Sequence, residues 1–396
     1  MMLSADETAA RLGIKLQTLY AYVSRGTIAR NTTADGRSMF DARAVQELAA
    51  RGRPRLSSRQ TSLHLLIETR LTRIDSHRIW YRGHEATALA CTHTFEQVAE
   101  LLWTSSLPPS SPSWSCEAVA GAADLGPGDS LRVTAATTAA RDPLRADLRP
   151  GAVAAAGRRL IAGMVDSLAG PDAGRIPRLR LDDRRLPGTI AGRLWSGLAP
   201  QRPQPGMLEI LNAILVVLAD HELAASTLAA RVAASTRADP YAVVGAGLGT
   251  VNGILHGQAS SACRTLLDDT DAWGAGPAIT AALRTWPSVP GFGQPLYPDG
   301  DPRAALVLGM LRDAIGGSHT LSIADAVVSS LRRRSDVQPN VDFALAVFTR
   351  VARMPAGSGE TIFAIARTAG WVAHAIEEYG EAPLRFRPRA VYVGDR

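Results

Sequence analysis

Two histidines and an aspartate in this chain stand where packing alone gives them no reason to be. Leu208, Leu211, Ile214, Leu215, Val217 and Leu218 form an almost wholly apolar helical stretch, the signature of a helix inside a protein rather than on it. Asp220, His221 and Glu222 follow it directly. Ionisable groups clustered beside a core helix are costly unless they are paired, so the cluster points to a site. His256 lies between Leu255 and Gly257, poised at a chain break. Asp342 sits in NVDFALA, where a carboxylate on an apolar helix is otherwise hard to justify. An imidazole and a carboxylate held at fixed points are the components of general acid and base catalysis.

The wording around these residues is specific. ADHELAAST and GILHGQAS, then PGFGQPLYPDGDPRA from Pro290 to Ala304, then Asn340 to Tyr379 with NVDFALA and FAIARTAGWVAHAIEEY, and the terminal LRFRPRAVYVG, fall in the order and spacing of the citrate synthase family. The chain resembles that family over residues 60–396, and YRGHE at Tyr81 to Glu85 resembles its opening motif. The implied reaction joins the methyl carbon of a thioester to a ketone. It needs a base to take a proton, a donor to steady the enolate oxygen, and a second donor to polarise the ketone. By the resemblance, Asp342 abstracts the methyl proton and His256 donates to the acetyl-CoA carbonyl oxygen. Arg303, Arg367 and Arg387 hold oxaloacetate, Arg387 reaching in from the other subunit, and His221 contacts the same substrate. Arginine suits that task because its planar fork makes paired, charge-assisted hydrogen bonds to a carboxylate. The resemblance implies a coenzyme A thioester as substrate, no metal or redox cofactor, and a homodimer that works by domain closure.

The chain departs from the family pattern at Gln294, which stands in GFGQPLY where the family has a histidine that serves the ketone oxygen as proton donor. An amide polarises a carbonyl but transfers no proton near neutral pH, and losing a positioned general acid costs roughly 10²–10⁴ in rate. Pro298 replaces a basic residue common among relatives, and Gln258 a glycine. Three functions stay open. One is a citrate or 2-methylcitrate synthase using acetyl-CoA or propionyl-CoA. Another is a relative of altered oxoacid specificity. The third is a DNA-binding regulator whose degenerate body senses a dicarboxylate or an acyl-CoA.

The elements that must position these residues are nearly all helical. Alanine- and leucine-rich stretches such as LRVTAATTAARD, PGAVAAAGRRLIAGMVDSL and TIAGRLWSGL dominate, and strand signals are few. The expected fold is mainly α, and the resemblance implies a large helical domain at 62–258 and 349–396 with a small helical domain at 259–348. Residues 105–130 and 168–206, rich in Pro, Gly and Ser or Arg, read as long surface connections. His64, His77, His84 and His93 lack metal-ligand spacing and read as surface or core residues.

Residues 1–52 read as a separate module joined by a basic linker at 53–61. Ser4 with Glu7 gives a capping-box start, Gly13 breaks the first helix, and a second runs from about Lys15 to Arg25. Asp35-Gly36 offers a tight turn, and Asp41 caps a third helix, ARAVQELAARG. The segment resembles a winged helix-turn-helix of the MerR/excisionase type. By that resemblance Lys15, Gln17, Thr18 and Tyr22 face DNA while Arg30 and Arg37 contact phosphates. A protein-contact module of the same shape is the alternative.

Composition sets the frame. A chain of 396 residues, 46% hydrophobic and 20% charged, can bury a large core, and no apolar run is long enough to span a bilayer. The N-terminus lacks a basic start followed by an apolar block, which predicts a cytoplasmic protein. The net charge of +6 is carried by arginine, Lys15 being the sole lysine, and it suits carboxylates and coenzyme A as well as nucleic acid. Cys91, Cys116 and Cys263, widely spaced and odd in number, argue against disulfides or a metal cluster and read as packing residues.

Overall fold

The computed structural model describes residues 2–24, 26–33, 36–51, 66–116, 125–168, 188–253 and 256–388. The chain forms two compact units, Met1–Ile67 and Glu68–Arg396.

In the first unit, β1 (Met2–Ser4) leads into α1 (Ala5–Leu12), α2 (Leu16–Ser24), β2 (Asn31–Thr32), β3 (Ser38–Asp41) and α3 (Ala42–Arg51). Ser4 starts α1 through the capping box: its hydroxyl accepts from the Glu7 amide, and the Glu7 carboxylate accepts from the Ser4 amide. Gly13 ends the helix in the left-handed region at φ +64°. The three strands pair antiparallel in the order β1-β3-β2. Leu3, Leu19, Ile28, Phe40 and Val45 form the core of this unit. Asp35 lies outside the described residues.

The second unit opens with a small antiparallel sheet, β4 (Thr72–Ile74), β5 (Ile79–Tyr81) and β6 (His84–Glu85). Helices follow: α4 (Ala86–Thr92), α5 (Phe95–Thr104), α6 (Pro127–Arg141), α7 (Pro150–Ser167), α8 (Ile190–Leu198), α9 (Met207–Leu218), α10 (Ala225–Ser235) and α11 (Pro240–Val251). Then come α12 (Ala259–Trp273), α13 (Ala275–Thr285), α14 (Pro302–Ile315), α15 (His319–Arg332), α16 (Val341–Val351) and α17 (Ser358–Tyr379). The nearly all-helical expectation for the body holds. The two stretches read as surface connections are shorter than expected, because α6 begins inside the first at Pro127 and α8 interrupts the second.

Two helices centre this unit. Every residue of α9 except Glu209 is buried, as its almost wholly apolar sequence requires. The 22-residue α17 is buried along most of its length and packs on α5, α7, α9, α10 and α11. Gly370 brings α17 against the segment after α9: its amide donates to the Ala219 carbonyl at 2.9 Å, and a Cβ there would fall 2.5 Å from that oxygen. Close approach at this point puts Arg367, one turn earlier on α17, beside the end of α9.

Of the three cysteines, Cys263 is buried and Cys116 half-buried, but Cys91 is exposed, so packing does not account for it. His77 and His84 are exposed and His93 half-buried, while His64 lies outside the described residues. Among the described residues, no helix is long and apolar enough to cross a membrane.

Candidate active site

The apolar run of α9 ends at Ala219, and the charged trio that follows divides its labour. The Asp220 carboxylate is fully buried, accepts a short hydrogen bond from the Thr72 hydroxyl, and lies 3.2 Å from His374 Nε2. Arg231 Nη1 donates to the other nitrogen of His374 at 2.7 Å, so Nε2 carries the proton that faces Asp220. Arg231 is itself held by Glu377 and Glu378 at 2.9 and 3.0 Å. Asp220 is therefore committed to structure. His221 is not. Its Nε2 meets the Tyr297 hydroxyl at 3.0 Å, and burial, then Arg303 and Arg367, push its pKa well below the ordinary histidine value. His221 is a neutral imidazole at physiological pH.

Tyr297 lies in the loop before α14. The Asp301 carboxylate caps that helix from its N-cap position, accepting from the Arg303 amide at 3.0 Å. It also grips the Arg303 guanidinium in a fork, with Nε at 2.9 and Nη2 at 2.8 Å, and accepts from the Val341 amide at 3.0 Å. One carboxylate thus fixes the direction of Arg303 and ties α14 to the start of α16. Burial works against the charge on Arg303, but Asp301 outweighs it and raises the pKa. Arg303 is 2% exposed, so this cation is held in a dry place.

Asp342 occupies the first turn of α16. The Asn340 side chain caps that helix, accepting from the Asp342 amide at 3.0 Å and the Phe343 amide at 3.4 Å. Among the described residues the Asp342 carboxylate itself has no hydrogen-bond partner. Burial pushes its pKa up to about 6, with Asp301 and Glu360 adding to the rise and Arg303 and Arg367 opposing it. A carboxyl poised near neutrality without a partner has the properties of a general base.

Arg367, also 2% exposed, donates from Nε to the Leu218 carbonyl at 2.8 Å, and its guanidinium stands 4.7 Å from the centre of the Phe363 ring. His256 meets the same ring edge-on at 5.9 Å, and its Nε2 lies 2.8 Å from the Ser226 hydroxyl. Burial, then Arg367, lowers the His256 pKa. The turn bearing His256 is tight at Gly257, where a Cβ would overlap the Val251 carbonyl oxygen at 2.1 Å.

The structure thus brings His221, Arg303, Arg367 and Asp342 together, with His256 on the Arg367 side. The fields of the two guanidiniums reach both His221 and Asp342, and that of Arg367 also reaches His256. Gln294 is half-buried beside a cleft of about 530 Å³ that Tyr297 and Asp301 also line. Its Oε1 accepts from the Leu296 amide at 3.4 Å. Arg387 is exposed and has no ion-pair partner among the described residues, while nearby Arg385 forms a two-bond fork with Glu378 at 2.7 Å. Pro298 and Gln258 are exposed. In the first unit Lys15, Gln17, Arg30 and Arg37 are exposed and Thr18 is half-buried. Tyr22 packs partly against that unit's core, and Tyr20 is the exposed tyrosine of α2.

Sequence reasoning missed Tyr297, Ser226 and Asp301. Asp301 was the most legible of these, since Asp-Pro-Arg is the pattern of an N-cap followed by proline at the first helical position. Tyr297 in a Pro- and Gly-rich loop and Ser226 in an Ala-rich helix carry no such signal.

Residues 63–389 match the sequence profile of the citrate synthase C-terminal domain. Citrate synthase 2 of Bacillus subtilis (strain 168) is 32% identical over 262 residues, which cover 59% of this chain and 70% of that protein. Citrate synthase of Synechocystis sp. is 33% identical, and a putative citrate synthase 2 of Mycobacterium bovis 36%. Each of those two alignments covers 50% of this chain, and the chain spans about half the length of each relative, 51% and 54% respectively. Among solved structures, citrate synthase from Pyrobaculum aerophilum superposes with a TM-score of 0.70 at 26% identity, covering 84% of this chain and 91% of that one. A ternary complex of the Thermoplasma acidophilum enzyme with carboxymethyl coenzyme A and oxaloacetate shares the fold, with a TM-score of 0.70 at 22% identity over 85% of this chain and 95% of that one. The body of this protein therefore has the mainly helical citrate synthase fold, and the chain belongs to the citrate synthase family.

Proposed function

We propose that the chain condenses an acyl-CoA, acetyl-CoA or propionyl-CoA, with oxaloacetate, and that water then cleaves the thioester of the condensation product to give citrate or 2-methylcitrate and free coenzyme A. The observation that carries this reading is the Asp342 carboxyl, without a hydrogen-bond partner among the described residues and pushed up to about 6, beside two buried guanidiniums. Arg303 and Arg367 supply fixed positive charge for the oxaloacetate carboxylates, and His221, neutral, stands beside them without adding charge. Asp342 takes a proton from the carbon next to the thioester carbonyl, a methyl in acetyl-CoA and a methylene in propionyl-CoA. His256 faces the enolate oxygen: with the Ser226 hydroxyl donating to Nε2, the ring proton sits on Nδ1, which becomes the donor. The resulting carbanion equivalent attacks the ketone carbon of oxaloacetate. Arg387, exposed in its own chain, reaches the substrate of a second copy in a homodimer.

Coenzyme A thiol release in the presence of oxaloacetate, run separately with acetyl-CoA and propionyl-CoA, tests the reading. The expected result is release by the unaltered protein that Asp342→Asn reduces by roughly 10²–10⁴. Release that survives Asp342→Asn unchanged would overturn the assignment of the base.

A second reading, favoured by the exposed Lys15, Gln17, Arg30 and Arg37 of the first unit, is that this module binds DNA as a winged helix-turn-helix and couples it to ligand bound by the body. A mobility shift with DNA upstream of its own gene, with and without oxaloacetate, tests it at physiological salt. No shift under either condition would remove it.

A further inference from the structure

The condensation proposed above leaves one proton without a carrier. When the methyl carbon bonds to the ketone carbon, the ketone π pair moves onto oxygen and an alkoxide forms. Asp342 has just accepted a proton, but it does so at the methyl carbon, on the thioester. Gln294 has an amide whose N–H hydrogens do not leave near neutral pH. Tyr81 is buried in the same neighbourhood, and its hydroxyl lies 3.2 and 2.9 Å from the Val217 and Asp220 carbonyl oxygens, to which it donates. His256 is engaged with Ser226 at the thioester end.

Tyr297 carries a hydroxyl on the same turn as Gln294. It is 2% exposed, its ring centre lies 5.5 Å from the Arg303 guanidinium carbon, and its oxygen meets His221 Nε2 at 3.0 Å. It lies three residues after Gln294 in the same loop, and its amide donates to the Gln294 carbonyl at 2.9 Å, so the two side chains are carried by one turn beside one cleft. A neutral imidazole facing a phenol has two arrangements. If Nε2 bears the hydrogen, His221 donates into the phenol oxygen and the phenol hydrogen is free to point at a ligand.

Resting on the synthase reading, we propose that Tyr297 is a catalytic residue, the hydroxyl that polarises the oxaloacetate ketone and delivers its proton to the alkoxide in place of an imidazole at position 294. The O–H bond of Tyr297 breaks as the new O–H bond of the tertiary alcohol forms. The phenolate left behind accepts the Nε2–H hydrogen bond of His221 and stands beside the Arg303 charge until solvent water returns a proton. His221 is on this view a positioning residue for Tyr297 as well as a contact for substrate.

The test uses the full chain and Tyr297→Phe, which keeps the ring and removes only the hydroxyl. Calorimetry with oxaloacetate, thiol release, and the infrared carbonyl stretch of bound oxaloacetate are read together. The expected result is oxaloacetate affinity within a few fold of the unaltered protein, kcat lower by roughly 10²–10⁴, and a bound carbonyl stretch that moves back toward its free value. Tyr297→Phe combined with Gln294→His is expected to recover thiol release, which a purely structural tyrosine would not allow. Tyr297→Phe with unchanged kcat and carbonyl stretch would overturn the proposal while leaving the synthase reading intact. If the unaltered protein binds oxaloacetate but does not turn over, the infrared comparison alone decides, a carbonyl stretch unmoved by Tyr297→Phe counting against the proposal. Failure of the unaltered protein to bind oxaloacetate would remove both.

Discussion

Asp342 is a base only in the fraction of molecules where it is ionised, and its surroundings set that fraction near neutrality. Burial, the largest cause, lifts its pKa to about 6, while His221 and His256 are moved the other way and stay uncharged above the ordinary histidine range. The acid side of the pH profile of kcat/KM therefore includes the carboxylate: activity falls as pH drops through about 6. The same shift has a stability consequence of definite sign. A carboxyl whose folded pKa lies above its unfolded value costs stability as pH rises through the interval between the two. Asp342→Asn removes the cost, so the variant should melt higher than the unaltered protein at pH 8, with most of the difference gone by about pH 4, at the unfolded value. An equal difference at both pH values would show that desolvation of this carboxylate is not what lifts its pKa. Asp342 was legible in the sequence because charge on an apolar helix is conspicuous. Tyr297 was not, since an aromatic residue in a loop is ordinarily packing.

At the scale of elements, the site exists because α17 comes unusually close to the end of α9. Gly370 makes that possible, and the Arg367 Nε bond to Leu218 and the Gly370 amide bond to Ala219 stitch the two together. Gly370→Ala would place a Cβ 2.5 Å from both the Ala219 carbonyl oxygen and Asp220 Oδ1, and backbone cannot give as a flexible side chain can. The expected cost is about 1–3 kcal/mol, the range for overpacking, read as a lower thermal midpoint and accompanied by weaker oxaloacetate binding. A variant that melts normally and binds normally would show that the approach is not constrained. The capped start of α1 was readable from Ser4, and the burial of α9 from its almost wholly apolar run. The α9–α17 approach was not, because one glycine in a helical pattern does not say what it faces, and the Arg231, His374 and Asp220 network joins positions 231, 374 and 220, too far apart in sequence for any local spacing rule.

At the scale of the whole molecule, Arg387 is a residue whose role single-chain geometry does not explain. It is an exposed cation without an ion pair among the described residues, a few residues beyond a C-terminal segment tied down by Arg385 to Glu378 and by the Leu384 amide to the Ser235 carbonyl at 2.9 Å. Such anchoring holds the segment next to Arg387 in place, as expected if Arg387 completes the site of a second copy. Mixed subunits separate this from a surface role. Asp342→Asn and Arg387→Ala chains should each be nearly inactive alone. Co-expressed with random pairing, they give mixed dimers in which one site has its own Asp342 and the partner copy's intact arginine, while the other has neither. Recovery of roughly one quarter of the unaltered activity is then expected from a two-fold dimer with shared sites. If Arg387 served only its own chain, no mixed dimer would contain a complete site and no activity would return. The same experiment reports on assembly, because recovery requires that two copies of this chain meet across the substrate.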